Sequence, residues 1–271
     1  MPTMESAKND VHFSMFKGEP GTRKSTAALS YPKPQYWMSY DQKMNSLILP
    51  MKLWGINPKD VSFDDYTDWT SGQKKLEQFR VDFPYKTLII DSITSLADMV
   101  LRQTVSMKKG KTRSSGDSSG KQIAGISVNE IEDFNAEASA LTELIALLKD
   151  IHKFHKVDVI IIAHVIRTEF KELNGVTNIS RSIVTAGKKP AAKLPAYCDE
   201  VYHFGVGQSM DLSKGGNYEV LTSHTGDDFA RTSLPLPTKL ELGDKQLYKD
   251  FVKPAMVKLD EMQIVTQIGQ K

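Results

Sequence analysis

The amino-acid sequence predicts an α/β protein: a mostly parallel twisted sheet, helices on both of its faces, and short antiparallel strands toward the C-terminus. Strand-like runs alternate with helical stretches from Val11 to Val165, the pattern of a parallel sheet built from crossover units. Two of those runs, TLIID at 87–91 and VDVIIIAHV at 157–165, are nearly continuous apolar sequence, as befits strands buried on both faces. Between the first strand and the first helix lies GEPGTRKS, residues 18–25, a glycine-bearing loop of the kind that cradles phosphate.

In chain order, residues 1–10 are polar and read as a flexible N-terminus. Val11–Lys17 alternates, carries two phenylalanines, and reads as a strand ending at the glycine loop. Residues 24–30, KSTAALS, read as a short helix stopped by Pro32 and Pro34. Tyr36–Tyr40 is a second strand, ending at Asp41. SLILPMKLWG forms a helical turn closed by Gly55, and residues 61–66 suit another short strand. Residues 70–82 read as a helix leading to TLIIDS, and ITSLADMVLRQTV continues as a helix. Residues 108–126 are basic, rich in glycine and serine, and poor in large apolar side chains, so they read as a mobile loop. Ser127 and Glu130 make a capping box for a long helix with an apolar stripe at Leu141, Leu144, Ile145, Leu148 and Ile151. The core is expected over residues 11–237, and 238–271 reads as a tail with some amphipathic character.

Composition narrows the function. The chain has 271 residues, 40% of them hydrophobic and 25% charged, with net charge +2. A whole-protein field that binds nucleic acid is therefore excluded, and any such binding must come from a local patch. Cys198 is the single cysteine, so neither an intramolecular disulfide nor a cysteine-built zinc site is possible. That fits a reducing cytosol. MPTMESAKND has no apolar core and is not a signal peptide. No stretch approaches the roughly 20 apolar residues of a membrane helix.

GEPGTRKS departs from G-x-x-x-x-G-K-[ST] at one position, where Arg23 stands for the second glycine. Backbone N–H groups of such a loop point at an anion. Lys24 can reach the β- and γ-phosphates, and the Ser25 hydroxyl can hold Mg²⁺. The loop residues Gly18, Glu19, Pro20, Gly21, Thr22, Arg23, Lys24, Ser25 and Thr26 are the expected nucleotide-binding set. The missing glycine serves positive φ or close backbone approach; Gly21 supplies flexibility nearby, and arginine adds a cation. Asp91, at the carboxyl end of a buried strand, can orient the water shell of Mg²⁺ opposite Ser25. The alternative is an acid that caps the following helix.

GEPGTRKS, LIIDSITSL and VIIIAHV occur in the order found in the RecA-like P-loop ATPase superfamily. With the arginine variant of the loop, the YDQK segment and ARTSLPLP, the chain resembles a phage-encoded branch described as RecA-like AAA-type ATPases, some relatives of which act in single-strand annealing. The resemblance covers about residues 11–237 and implies ATP and Mg²⁺ as cofactors. It also implies single-stranded DNA as a partner, a homo-oligomer with ATP at subunit interfaces, and the cytoplasm of an infected host. By the same resemblance Asp41 is the candidate water-activating acid, with Gln42 or a plain turn role as alternatives. His164 is a candidate sensor of the γ-phosphate. Arg231, Lys188 and Lys189 are candidate cations that complete a neighbour's site, with Arg167 and Arg181 also open.

Lys108, Lys109, Lys111, Arg113 and Lys121 face a single acid, Asp117, in the 108–126 segment. They are the candidate DNA-binding residues, since basic flexible segments grip phosphate backbones; a solvated linker is the other reading. Two functions follow. One is an Mg²⁺-dependent ATPase working on single-stranded DNA in phage recombination or replication. The other is a nucleotide-binding loader or assembly module with little or no hydrolysis. A small-molecule kinase shares the loop, but Ser92 and the histidine of VIIIAH argue against it.

Overall fold

The computed structural model describes residues 11–110, 122–123, 126–127, 131–171, 177–185, 192–207, 217–226 and 228–268. Strands β1 (Phe13–Gly18), β2 (Gln35–Ser39), β3 (Val61–Asp65) and β4 (Thr87–Asp91) alternate with helices α1 (Lys24–Leu29), α2 (Ile48–Leu53) and α3 (Trp69–Val81). Then come α4 (Ile93–Gly110), the short pair β5 (Gln122–Ile123) and β6 (Ile126–Ser127), α5 (Ile131–His155), and β7 (Asp158–Lys171). Strands β8 (Thr177–Ile183), β9 (Glu200–Gly207), β10 (Asn217–Leu221) and β11 (Lys239–Glu241) follow, and helical turns at Leu247–Val252 lead into a helix at Lys253–Ile268.

Nine of these strands form one sheet in the order β11-β10-β9-β1-β7-β4-β2-β3, with β8 paired to β7. The central pairings, from β9 through β3, are parallel, whereas β10, β11 and β8 join antiparallel. That is the architecture the alternation predicts. Side chains alternate across the pleat, so each face builds its own core. On one face Met15, Ile90 and Ile161 pack under Leu76 of α3, Leu96 of α4, and Leu144 and Leu148 of α5. On the other, Phe16, Trp37, Ile89 and Ile160 meet Ala27, Ala28 and Leu29 of α1. The predicted stripe on α5 is buried throughout, from Leu141 to Ile151.

Three boundaries differ from the sequence reading. Helix α4 runs through Gly110, so Lys108 and Lys109 stand on a helix end; methionine and lysine are good helix formers and carry the helix into the polar stretch. Lys111, Arg113 and Lys121 lie outside the described residues, as does Glu130 of the expected capping box, while Ser127 is paired in β6. Strand β7 does not end at His164 but continues to Lys171, because antiparallel pairing with β8 takes over where parallel pairing stops. Finally, the segment read as a tail joins the sheet through β11. It buries Leu240, Leu242, Leu247, Val252 and Ala255 in the core that covers α1. Its apolar residues are spaced for a short strand followed by an irregular helical turn, and no single period marks them in the sequence.

At the amino end of β7, Asp158 accepts a hydrogen bond from the His12 N–H at 2.9 Å. Burial pushes its carboxyl up to about 7, against the lowering effect of that bond. The unfolded value is near 3.9, so protonated Asp158 stabilises the fold fully below about pH 4, and this contribution is lost as pH rises through about 7. Asp158→Asn keeps the acceptor without the charge. Its melting temperature relative to the unaltered chain should climb by a few degrees between about pH 5 and pH 8. A difference that stays flat with pH in thermal melts would contradict this account.

Candidate functional site

Parallel register brings the carboxyl ends of four strands to one edge. Gly18 pairs across from His164, Asp91 lies opposite Ile162, and Ser39 lies opposite Asp91. Gly18 ends β1 where a Cβ would run into the Phe204 carbonyl of β9, so the first glycine of the loop is fixed by close packing as well as by turning. Gly21 takes φ +80, the freedom expected of it. Lys24 folds back under the loop. Its Nζ donates to Gly18 O at 2.9 Å and to Glu19 O at 2.7 Å, and it is only 4% exposed. Burial pulls its pKa down to about 8, against the raising effects of Asp91, Asp41 and Glu19.

Arg23 resolves the variant loop. Its backbone sits at φ 63, ψ 25, the left-handed region the absent glycine would occupy freely. For a side-chain-bearing residue that costs roughly 1–2 kcal/mol. The side chain turns away from Lys24. Its guanidinium lies over the Tyr218 ring, 3.9 Å from the centroid, and Nη1 donates to Gly243 O at 2.9 Å. An exposed cation–π contact contributes about 0.5–1 kcal/mol, comparable with the backbone cost.

Across from the loop, the Ser25 hydroxyl donates to Asp91 Oδ2 at 2.8 Å. Burial pushes Asp91 up to about 6, with Asp41 adding to the rise and Ser25, His164 and Lys24 opposing it. Asp41 sits just past β2. It accepts from Ser92 Oγ at 2.9 Å and pairs with His164 Nε2 at 3.2 Å. Burial pushes Asp41 up too, but hydrogen bonds from His164, Ser95 and Ser92 and the nearby imidazole outweigh it and hold the carboxyl below its usual range. The His164 N–H donates to Thr94 Oγ1 at 3.0 Å, which fixes the end of the parallel section of β7. A cleft of about 740 Å³ opens beside this group, lined by Tyr40, Asp41, Gln42, Asp68, Asp98 and Arg102 among others.

This donor set fits a magnesium ion: a hydroxyl and a buried carboxylate face each other at the mouth of the loop, with a second carboxylate behind. A family model described as an AAA domain matches residues 15–233. The chain belongs to this AAA domain family. A search of curated proteins finds no match. As an AAA domain, the chain is a nucleotide-binding ATPase unit of the P-loop class, and its sheet is the α/β core such a unit requires.

Within the AAA domain, the expected residues Lys24, Ser25, Asp91, Asp41 and His164 converge. Among the described residues, the other candidate cations do not. Arg231 bridges to Val201, and its guanidinium donates to Cys198 O, toward the start of β9 and away from the loop. Arg167 pairs with Glu169 at 2.8 Å, and Arg181 with Asp228 at 2.7 Å. Lys188 and Lys189 lie outside the described residues. Sequence reading assigned no role to Ser95, and it used Ser92 only to weigh against a kinase; both orient Asp41, and their spacing in DSITS was the available signal. It also missed Lys17, His203 and Asp228, which cluster beneath the Gly18 end of β1. Burial lowers Lys17 to about 8 there, with Asp228 opposing. No local pattern marks that cluster, because it joins β1, β9 and the segment after β10, which are distant in sequence.

Asp91→Asn removes the charge and keeps an acceptor for Ser25. Magnesium-supported ATP turnover should fall by about 10- to 100-fold, while the melting temperature drops by no more than a few degrees, since the carboxylate it replaces is already disfavoured by burial. Turnover that persists in a steady-state phosphate-release assay would reduce Asp91 to a structural acid.

Proposed function

We propose that this AAA domain is a RecA-like, Mg²⁺-dependent ATPase that acts on single-stranded DNA in phage recombination or replication. The observation that carries the ATPase part is the Ser25–Asp91 hydrogen bond at 2.8 Å, set beside Lys24 and the Asp41–His164 pair. Ser25 and Asp91 would hold the magnesium ion, which supplies charge neutralisation along the phosphates. Lys24 offsets charge on the β- and γ-phosphates. Asp41, kept anionic by Ser92, Ser95 and His164, orients a water for attack, and His164 reads the state of that carboxylate through a direct hydrogen bond. Gln42 adjoins Asp41 at the cleft and shares the water-orienting role.

The DNA part rests on sequence: Lys108, Lys109, Lys111, Arg113 and Lys121 cluster in a segment with one acid. With net charge +2, contacts must come from such a local cluster. The proposed assembly is a homo-oligomer with ATP at subunit interfaces. Arg231 and Arg181 are engaged within their own chain, so Lys188 or Lys189 is the cation offered to a neighbour. The proposed place is the cytoplasm of an infected host; among the described residues no helix is long and apolar enough to cross a membrane.

A second reading has one observation in its favour. The carboxyl of Asp41 is held below its usual range, which makes it a weak base. A nucleotide-binding loader with little or no hydrolysis would tolerate that.

Steady-state ATP turnover with and without single-stranded DNA separates the two. The ATPase reading expects turnover that rises with DNA and is abolished by Lys24→Ala; ATP binding without turnover in either condition supports the loader. If about three of the basic side chains meet phosphates, log affinity should fall against log salt with a slope of roughly −2. Neutralising Lys108, Lys109, Lys111 and Arg113 together should flatten that slope and remove the DNA stimulation. Unchanged slope and affinity in that variant would move the DNA surface elsewhere.

A further inference from the structure

The left-handed backbone of Arg23 immediately precedes Lys24 and Ser25. A residue with a side chain relaxes out of that region unless its surroundings hold it there. Two contacts do so, and both come from the C-terminal part of the chain: the Tyr218 ring beneath the guanidinium and the Gly243 carbonyl that accepts from Nη1. The two partners are tied to each other, because the Leu242 N–H donates to Tyr218 O at 2.9 Å. Gly243 itself takes φ +49, a turn that suits glycine and links β11 to the helical turns at Leu247–Val252. The same segment holds the far end of α1. The Tyr248 N–H donates to Ser30 Oγ at 3.0 Å, and the Tyr248 ring lies 4.8 Å from that of Tyr31. The helix that carries Lys24 and Ser25 is thus gripped at its two ends by Gly243 and Tyr248, each more than two hundred positions away in sequence.

We propose that Arg23 is a positioning residue: clamped by Tyr218 and Gly243, it holds the phosphate loop in its nucleotide-binding shape, so that ATP affinity depends on the β10–β11 segment. This rests on reading residues 18–25 as the nucleotide site. A guanidinium engaged by an aromatic ring and a carbonyl is aimed at neither Lys24 nor the loop interior, so its contribution is made through the backbone. Glycine would hold the same φ with no outside support. The dependence on Tyr218 is therefore a consequence of the arginine, and replacing the arginine by glycine removes it.

The test is ATP–Mg²⁺ binding by calorimetry on the full chain. Tyr218→Ala should weaken binding about three- to fivefold, within what a lost exposed cation–π contact supports. The same change made in an Arg23→Gly background should cost less than about twofold, and Tyr218→Phe, which keeps the ring, should stay within about twofold of the unaltered chain. Equal losses in both backgrounds would make Tyr218 a general brace and overturn the proposal, as would no loss in either. A ligand-free readout stands beside it. The Ala27 amide donates to Arg23 O at 2.9 Å, and its hydrogen exchange reports whether the loop end of α1 is held. Exchange should quicken several-fold in Tyr218→Ala; unchanged exchange overturns the clamp whatever ATP does. If the unaltered chain binds no ATP, or Lys24→Ala binds it equally well, the nucleotide-site reading fails and the affinity claim with it, while Ala27 exchange still decides whether Arg23 is clamped.

Discussion

The site depends first on parallel pairing among β1, β7, β4 and β2. In parallel strands every carboxyl end faces the same edge of the sheet, and register decides which side chains stand level there. Here Gly18 is level with His164, and Asp91 is level with both Ser39 and Ile162. A one-residue slip of β4 against β7 would turn Asp91 to the opposite face and separate it from Ser25. The apolar runs on these strands prevent such a slip, since Leu88, Ile89 and Ile90 are buried completely and serve different cores on the two faces. Core packing and site geometry are thus one constraint.

Charge is then set by what each carboxylate can reach. Asp91 and Asp41 are neighbours in the same desolvated region, yet their environments drive them in opposite directions. Asp91 has one hydroxyl donor and is raised; Asp41 has His164, Ser92 and Ser95 and is lowered. One carboxylate is left short of positive charge, an environment that suits a cation, and the other is held anionic, an environment that suits a neutral hydrogen-bonding molecule. Lys24, bound to its own loop carbonyls and depressed by burial, is the cation close enough to feel both carboxylates.

The variant loop shows how a local rule can be broken without loss of geometry. Glycine in a phosphate loop meets a backbone requirement by having no side chain. Arginine meets the same requirement at an energetic cost offset from outside, by an aromatic ring and a carbonyl. The arrangement ties the loop to β10 and β11, so the segment after residue 237 is part of the site's support.

Much of this was legible in the sequence. Strand and helix alternation, the continuous apolar runs, the loop around Lys24 and Ser25, and the acid at the end of TLIID are local patterns, and each is dictated by burial or backbone chemistry within a few residues. They determined the sheet, its helical covering and the two residues that face each other at its carboxyl edge. Tertiary structure alone decided the rest, because the deciding contacts join residues far apart in the chain. Nothing near Arg23 in sequence shows that its side chain turns to Tyr218 and Gly243, nor does ARTSLPLP show that Arg231 is spent on Cys198. The segment beyond residue 237 lacks a single period because it switches from strand to helical turn within a few residues, and only the apolar face of α1 made its leucines a core.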